Sequence, residues 1–321
     1  RSFAQERRKR PVGDRIARRV VLETLPYPGR FQLAARLGRF SRPVRGLLPH
    51  KFGAMINLLP DDLPPATPLP KIYPANGKRR ARVALLTGCV QQVLAPEINW
   101  ATLRVLSRNG VEVLIPSNQS CCGGLALHTG ESKQAQEYAN RIMEVFPRDV
   151  DAVVTNAAGC GSTMHEYPLL FKGMGEERLA EEFSELMMDV SEFLDGLGLL
   201  EIPTLSEPVT LAYQDACHLA HAQGITSAPR NLLNQIDGAA LFPLNESDMC
   251  CGSAGTYNLE QPNTAHQLGM RKAKNILATG AQVVISGNIG CIVQISKHLK
   301  EAGHPLPVMH TLEFMDQAYL G

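Results

Sequence analysis

The sequence contains no long apolar run and little net charge. None of its apolar stretches approaches the ~18 residues of a bilayer-spanning helix, and no apolar core of a secretory signal follows its first residues. Its formal net charge of +1 gives no basic excess of the kind that duplex binding requires. We therefore expect a cytoplasmic protein without a nucleic-acid partner. A peripheral position on the inner face of the cytoplasmic membrane is the alternative location.

Nucleotide-binding and hydrolase motifs are also absent from the sequence. It has no Walker phosphate loop, no Gly-x-Gly-x-x-Gly fingerprint and no Gly-x-Ser-x-Gly nucleophile elbow. We therefore expect this chain to bind neither a nucleotide nor a flavin itself.

The chain does contain eight cysteines, which all fall into two copies of one pattern, Cys…Cys-Cys-Gly…Cys. Cytosolic thiols are kept reduced, so metal binding is a better expectation than a disulfide framework. The first set is Cys89, Cys121, Cys122 and Cys160, and the second set is Cys217, Cys250, Cys251 and Cys291.

The sequence around the cysteines repeats as well. Matching segments accompany each set in the same order, which predicts a duplicated fold. The paired segments are 82–87 with 209–213, 152–156 with 283–287, and 192–195 with 313–316.

Each copy alternates short runs of Val, Ile and Leu with longer stretches of helical period. The predicted strands are 82–87, 111–115 and 152–156, then 209–214, 239–243 and 282–286. The predicted helices are 96–108, 131–145 and 161–172, then 229–236, 262–279 and 291–301. Continuous apolar strands separated by helices indicate a parallel sheet covered on both faces. The fold class is therefore α/β, with two tandem duplicated βαβαβα parallel-sheet units.

The composition divides the chain into three regions. We expect residues 1–80 to form a basic helical segment and a Pro-rich linker, residues 81–200 the first cysteine-rich domain, and residues 201–321 the second. Eight Arg or Lys residues fall within 1–19. We interpret them as a solvated helix or linker end, with docking to a partner or to acidic lipid as the alternative. Six prolines between Pro60 and Pro74 indicate an extended linker.

Every cysteine is predicted to follow a strand, at or before the start of a helix. The carboxyl ends of parallel strands meet at one edge of a sheet, so the four thiols of each copy should converge there. Glycines beside the cysteines let the backbone approach sulfur closely and leave amides free to hydrogen-bond it.

Four thiols can bind either zinc or an iron–sulfur cluster. Structural zinc sites usually take ligands as Cys-x₂₋₄-Cys pairs, whereas the gaps here are 31 and 37 residues in the first set and 32 and 39 in the second. The spacing therefore favours iron–sulfur clusters, and zinc at one site is the alternative. A vicinal disulfide or a redox nucleophile at the Cys-Cys pair is a third interpretation.

Several other residues near the cysteines invite a metal role. His218 and His221 follow Cys217 directly, but that copy already has four thiols, so we predict a solvated or helix-capping role for them. Asp215 is predicted to be a turn residue.

These motifs resemble a known family. The patterns Cys89…Cys121-Cys122-Gly123…Cys160 and Cys217…Cys250-Cys251-Gly252…Cys291 look like the tandem cysteine-rich CCG domains of heterodisulfide reductases and their relatives. The strings Cys250-Cys-Gly-Ser-Ala-Gly-Thr-Tyr257 and Asn288-Ile-Gly-Cys291 look like the iron–sulfur subunit of bacterial glycolate oxidase. The resemblance begins near Arg82 and runs to the C-terminus.

The resemblance implies an electron-transfer subunit without catalytic residues of its own. Electrons would come from flavin-containing oxidase subunits that convert a 2-hydroxy acid, here glycolate, and would pass toward quinone or a membrane acceptor. All eight cysteines would be cluster ligands. Lactate-utilisation iron–sulfur proteins share similar domains, and a heterodisulfide-reductase-like thiol–disulfide function or a zinc-stapled assembly scaffold are the alternatives.

The sequence departs from the family in two respects. The family's N-terminal ferredoxin-like Cys-x₂-Cys-x₂-Cys-x₃-Cys-Pro motifs do not occur, and since the chain begins at Arg1 we expect further sequence upstream. The Cys-x-x-Cys ending of heterodisulfide reductases is also missing, because Thr163 and Gln294 stand three residues after Cys160 and Cys291. Four thiols per set fit a cubane [4Fe–4S] or a smaller centre better than a five-cysteine cluster.

Overall fold

The computed structural model describes residues 11–43, 53, 55–56, 59–60, 62–65 and 67–321. It contains two mainly parallel β-sheets with helices packed on their faces. The predicted α/β class with two tandem parallel-sheet units is confirmed. The first ten residues, which carry much of the predicted basic arm, lie outside the described residues.

Two helices whose full extent the structure describes precede the first sheet. They are α1 (Val12–Thr24) and α2 (Pro28–Phe40). Arg18 of α1 is buried and donates hydrogen bonds to the carbonyl of Thr129 and to the Glu131 carboxylate at 3.0 Å. Phe31 and Ala35 of α2 pack against Val93. These contacts hold the N-terminal helices against the first half of the molecule.

The first sheet has five strands in the order β1-β3-β2-β4-β5. The strands are β1 (Ile72–Tyr73), β2 (Ala81–Leu86), β3 (Val111–Leu114), β4 (Ala152–Thr155) and β5 (Met187–Asp189). Strand β2 pairs in parallel with both neighbours, so that Val83 faces Val113 on one side and Ala152 on the other. Both β2 and β4 are buried nearly throughout, as their largely apolar sequences predict.

The connections of the first half are mostly helical. They comprise α3 (Gln91–Leu94), α4 (Glu97–Arg108), α5 (Gly124–Thr129), α6 (Ser132–Val145), α7 (Ala158–His165), α8 (Tyr167–Leu170), α9 (Glu177–Glu185) and α10 (Val190–Leu197).

The second sheet repeats this arrangement in the order β7-β6-β8-β9. Its strands are β6 (Thr204–Gln214), β7 (Asp237–Phe242), β8 (Val283–Ser286) and β9 (Val308–Met309). Its helices are a π-helix over His218–Ala222, α11 (Ser227–Asn234), α12 (Tyr257–Glu260), α13 (Pro262–Thr279), α14 (Ile289–Glu301) and α15 (Thr311–Leu320).

Both halves extend beyond the predicted three strands. Each ends in a short fourth strand, β5 or β9, followed by a helix, α10 or α15. These helices contain the repeated segments 192–195 and 313–316. The first sheet also has the antiparallel edge strand β1, which falls inside the predicted linker and pairs with β3.

The two halves are interlocked by their last helices. Helix α15 of the second half packs on α4 of the first, and α10 of the first half packs on α11 of the second. Matching polar contacts accompany this exchange, since Arg104 donates to Asp316 at 2.9 Å and Asn231 donates to Asp195 at 2.9 Å. One apolar core therefore runs through both sheets and includes Leu85, Val113, Leu211, Ile285 and Phe314.

His310 caps α15, the helix of the second half that packs on the first half. Its Nδ1 accepts a hydrogen bond from the Leu312 amide at 3.1 Å, and the Glu313 carboxylate accepts one from the His310 amide at 2.8 Å. The ring also hydrogen-bonds the backbone of Asn156, which follows β4. Burial lowers the pKa of His310 to about 4. Protonation would remove the acceptor at Nδ1, so the fold requires the neutral ring.

We predict an acid-sensitive contribution from this cap. In the unfolded chain a histidine titrates near pH 6.5, so its contribution is complete above that pH and is lost as the pH falls toward 4. Relative to His310→Asn, which keeps a cap acceptor, the wild type should lose about 2 kcal/mol of unfolding free energy between pH 7 and pH 5. Urea unfolding of both proteins at the two pH values measures this difference. Equal losses in the two proteins would assign the acid sensitivity to other groups.

Candidate metal centres

The first cysteine set lies at the carboxyl ends of β2, β3 and β4. Cys89 follows β2, Cys121 and Cys122 follow β3, and Cys160 lies in the first turn of α7 after β4. The Sγ atoms of Cys89 and Cys121 are 3.4 Å apart. The Cys122 thiol hydrogen-bonds both Cys121 and Cys160. Contacts between neighbouring thiols thus connect all four predicted site residues of the first set.

The second set occupies the equivalent positions in the other half. Cys217 follows β6, Cys250 and Cys251 follow β7, and Cys291 lies in the first turn of α14 after β8. Cys250 hydrogen-bonds both Cys217 and Cys251, and Cys251 also hydrogen-bonds Cys291. All eight cysteines are free thiols.

A left-handed glycine shapes each Cys-Cys turn. Gly123 has φ of 83° and Gly252 has φ of 90°, a region that side chains with a Cβ rarely adopt. This turn points the Gly123 amide back at the Cys121 Sγ at 3.5 Å, and the Gly252 amide back at the Cys250 Sγ at 3.3 Å. Each set therefore has a backbone donor aimed at its first paired sulfur.

The sulfurs of each set are too crowded to ionise together. Hydrogen bonds from Cys121 and Cys160 hold the pKa of Cys122 well below its usual range, while the thiols that donate those bonds have raised pKa values. In the second set, hydrogen bonds from Cys217 and Cys251 lower the pKa of Cys250 to about 2. Adjacent thiolates repel one another, and bound cations would relieve this repulsion and favour deprotonation of the whole set.

Both sets open onto one cavity of about 520 Å³. Six cysteines contribute to its wall, and the rest of the wall is largely apolar, including Val21 and Ala35 of the N-terminal helices. No Asp, Glu, Lys or Arg stands among the lining residues within the described parts of the chain. Besides the thiols, the titratable side chains in the described part of this wall are His128 and His218.

Asn288 connects the two sets directly. Its Nδ2 donates to the Cys291 Sγ at 3.5 Å, while its Oδ1 accepts from the Gly159 amide at 3.3 Å, next to Cys160. A backbone hydrogen bond of 3.2 Å from Ala158 to Gly287 runs beside it. The sets therefore meet at a polar seam between the halves.

Two histidines stand at the same seam. The rings of His128 and His218 make an edge-to-face contact with centroids 5.2 Å apart, and the Nδ1 of His218 lies 2.9 Å from the Ser162 hydroxyl. Both line the cavity. The predicted solvated role fits His221, which is largely exposed beside Asp248, whereas His218 lies at the cavity wall.

Two cations that the sequence alone did not indicate hold the chain segments that precede Cys217 and Cys250. Asp215, predicted as a turn residue, is buried and forms two hydrogen bonds of 2.6 Å with Arg230. Lys272 is fully buried and donates to the carbonyls of Glu246 and Ser247. The sequence does not single out Lys272, because Arg271 and Lys274 beside it on the same helix are exposed cations.

We predict that Gly252→Ala destabilises the Cys-Cys loop of the second half by steric clash. An added Cβ would lie 2.5 Å from the carbonyl oxygen of Ala265. This clash adds to the about 1–2 kcal/mol that a positive φ costs any residue other than glycine. Gly280→Ala is the matched control, because Gly280 has φ of 69° in the left-handed region with nothing within 4 Å of its Cβ. Urea unfolding should show a loss for Gly252→Ala that exceeds the control by about 1–3 kcal/mol. Equal losses would mean that the loop shifts freely.

Comparison with known proteins places this geometry in a family. The cysteine-rich CCG domain pattern matches residues 83–165 and 211–296. A probable glycolate oxidase iron–sulfur subunit of Bacillus subtilis is 32% identical across 94% of this chain and 72% of its own length. The glycolate oxidase iron–sulfur subunit of Escherichia coli is 31% identical across 99% and 75%. Lactate utilization protein A of an Exiguobacterium strain is 31% identical across 73% and 97%. The chain therefore belongs to the cysteine-rich CCG domain family and is a relative of the iron–sulfur subunits of glycolate oxidase.

Proposed function

We propose that the protein is the electron-transfer subunit of a flavin-dependent 2-hydroxy-acid oxidase, with glycolate as the substrate of the complex. The observation that carries this proposal is the pair of four-thiol sets that share one cavity, whose described wall contains no carboxylate, lysine or arginine. Such a site suits electron transfer better than substrate conversion. Related glycolate oxidase subunits support the assignment to a complex of this kind.

Each set would hold one iron–sulfur cluster, and four thiolates suit a [4Fe–4S] cubane. A bound cluster supplies one-electron transfer. The ligands would be Cys89, Cys121, Cys122 and Cys160 in the first half, and Cys217, Cys250, Cys251 and Cys291 in the second. Iron is favoured over zinc because each set draws its thiols from three separate strand ends instead of a short knuckle.

The protein's own groups would tune these centres by donating to sulfur. The amides of Gly123 and Gly252 and the Asn288 side chain are placed to do so. Hydrogen bonds to ligand sulfur raise a cluster's reduction potential, because they stabilise the more negative reduced state. Solvent exposure also affects the potential, and each set has two buried and two half-buried cysteines.

The electrons would come from flavin-containing subunits and would leave toward quinone or another membrane acceptor. No helix in the described parts of the chain is long and apolar enough to cross a membrane. Contact with such an acceptor would therefore be made at a membrane surface or through a further subunit. We also propose the division into an N-terminal segment, 1–80, and two cysteine-rich domains, 81–200 and 201–321.

We predict that one cysteine substitution removes the iron of its own set and leaves the iron of the other set in place. After anaerobic reconstitution, Cys121→Ser and Cys250→Ser should each lower the iron-to-protein ratio to about half of the wild-type value, because each removes a ligand from one set only. The matched control is Ala254→Ser, which adds a hydroxyl in the same loop and removes no thiol. Elemental analysis with EPR gives the readout. Zinc in place of iron in the wild type would favour the zinc-stapled scaffold.

We also predict reduction by glycolate through the partner subunits. In the anaerobic complex with its flavin-containing subunits, glycolate should bleach the visible iron–sulfur absorbance, and a quinone analogue should restore it. The same chain without those subunits should not respond. Disulfide reduction by the isolated chain with an artificial electron donor would instead favour the heterodisulfide-reductase-like function, and a stronger response to lactate would favour lactate utilisation.

A further inference from the structure

A cluster of two histidines and a glutamate lies outside the cavity and the cysteine sets. His298 and Glu301 are one turn apart on α14, and His266 faces them from α13. One ligand atom from each of the three residues lies within 4.8 Å of the others. The nearest Glu301 oxygen is 3.5 Å from the His266 Nδ1 and 3.8 Å from the His298 Nε2.

The buried histidine presents a free lone pair to this cluster. Its side chain has no exposed surface, and the ring Nδ1 lies 2.8 Å from the Gln294 carbonyl, to which it donates. The Nε2 must then carry the lone pair, and it is buried without a hydrogen-bond partner among the described residues. Leaving such a group unsatisfied costs about 1–3 kcal/mol. A backbone bond at one ring nitrogen is also the usual way to orient a metal-binding histidine.

The neighbouring helix makes room for this ring. A Cβ at Gly269, one turn after His266, would lie 2.4 Å from the His298 Cε1. Gly269 lies in the middle of an 18-residue helix, where glycine costs about 1 kcal/mol relative to alanine. The packing of the His298 ring explains why glycine stands there, and it fixes the direction of Nε2 toward Glu301.

The other two side chains leave the cluster open to solvent. His266 is 55% exposed and Glu301 is 40% exposed. The second Glu301 oxygen faces Lys297 at 3.7 Å, which keeps the carboxylate in place. A small movement of the exposed His266 ring would complete the site. Cys291 lies seven residues before His298 on α14, which is about 10 Å along the helix axis.

We propose that His266, His298 and Glu301 form a binding site for a divalent transition-metal cation, of which zinc is the best fit. Two imidazoles and one carboxylate are a ligand set that zinc accepts, with water in the fourth position. Bonds of about 2.0–2.1 Å in a tetrahedron place ligand atoms about 3.3 Å apart, close to the 3.5 and 3.8 Å that separate the Glu301 oxygen from the two histidine nitrogens. The cation would tie the C-terminal end of α14 to α13.

The test uses the anaerobic protein with its cysteine sets loaded with iron, so that thiols do not compete. Titration calorimetry with zinc should show one further equivalent bound by the wild type. A variant carrying His266→Gln and Glu301→Gln should bind that equivalent at least about 100-fold more weakly. Both changes are at exposed positions, so the fold is retained. His304→Gln, an exposed histidine three residues beyond Glu301, is the matched control and should bind as the wild type does.

X-ray absorption at the zinc edge distinguishes this site from the cysteines. Only nitrogen and oxygen neighbours are expected in the wild type. Sulfur in the zinc shell, or equal zinc binding by the wild type and the double variant, would overturn the proposal and identify the cluster as an ordinary contact between histidines and a carboxylate. Iron content, measured on the same samples, reports on the cysteine sets independently.

Discussion

Each half of this molecule holds four thiols close together. Without a cation beside them, four such thiols cannot all carry a negative charge. The thiols come from three strand ends, so each set exists only when its sheet has formed. The pKa values separate as a result, with Cys122 and Cys250 lowered by the sulfurs that donate to them and their donors raised. The fold therefore presents two sites that positive charge would stabilise, which couples metal binding to folding in the way that structural metal sites do.

The arrangement of the two sites depends on the exchanged helices. Helix α10 contacts β4 and β5 of its own sheet, and α15 contacts β6 and β8 of its own sheet, so each helix joins its own half to the other. Because α15 packs on α4 and α10 packs on α11, a single core continues through both sheets. A side-chain hydrogen bond accompanies each of these two helix contacts. Arg104 bonds Asp316 between α4 and α15, and Asn231 bonds Asp195 between α11 and α10. Together with the Asn288 seam, this packing fixes the position of one cysteine set relative to the other.

The sequence was sufficient to predict the three main strands of each half and the grouping of the cysteines. Their signals are strong because buried parallel strands are continuously apolar and the cysteine pattern occurs twice. The strands Met187–Asp189 and Val308–Met309 were not predicted, since two or three residues carry no periodicity. The contact of His128 with His218 was not predicted either, because those residues meet only through the packing of one half on the other. Lys272 is buried and Arg230 is half-buried by tertiary contacts that local composition does not encode.

Asn288 has a consequence for how a duplicated protein can diverge. After a gene duplication, each copy is usually free to accumulate changes as long as its own interior tolerates them. Here one amide side chain bonds the sulfur of Cys291 in one copy and the backbone beside Cys160 in the other. Any replacement at that position is felt by both copies at once. The two halves therefore form a single unit of selection at the seam, even though their sheets remain separate.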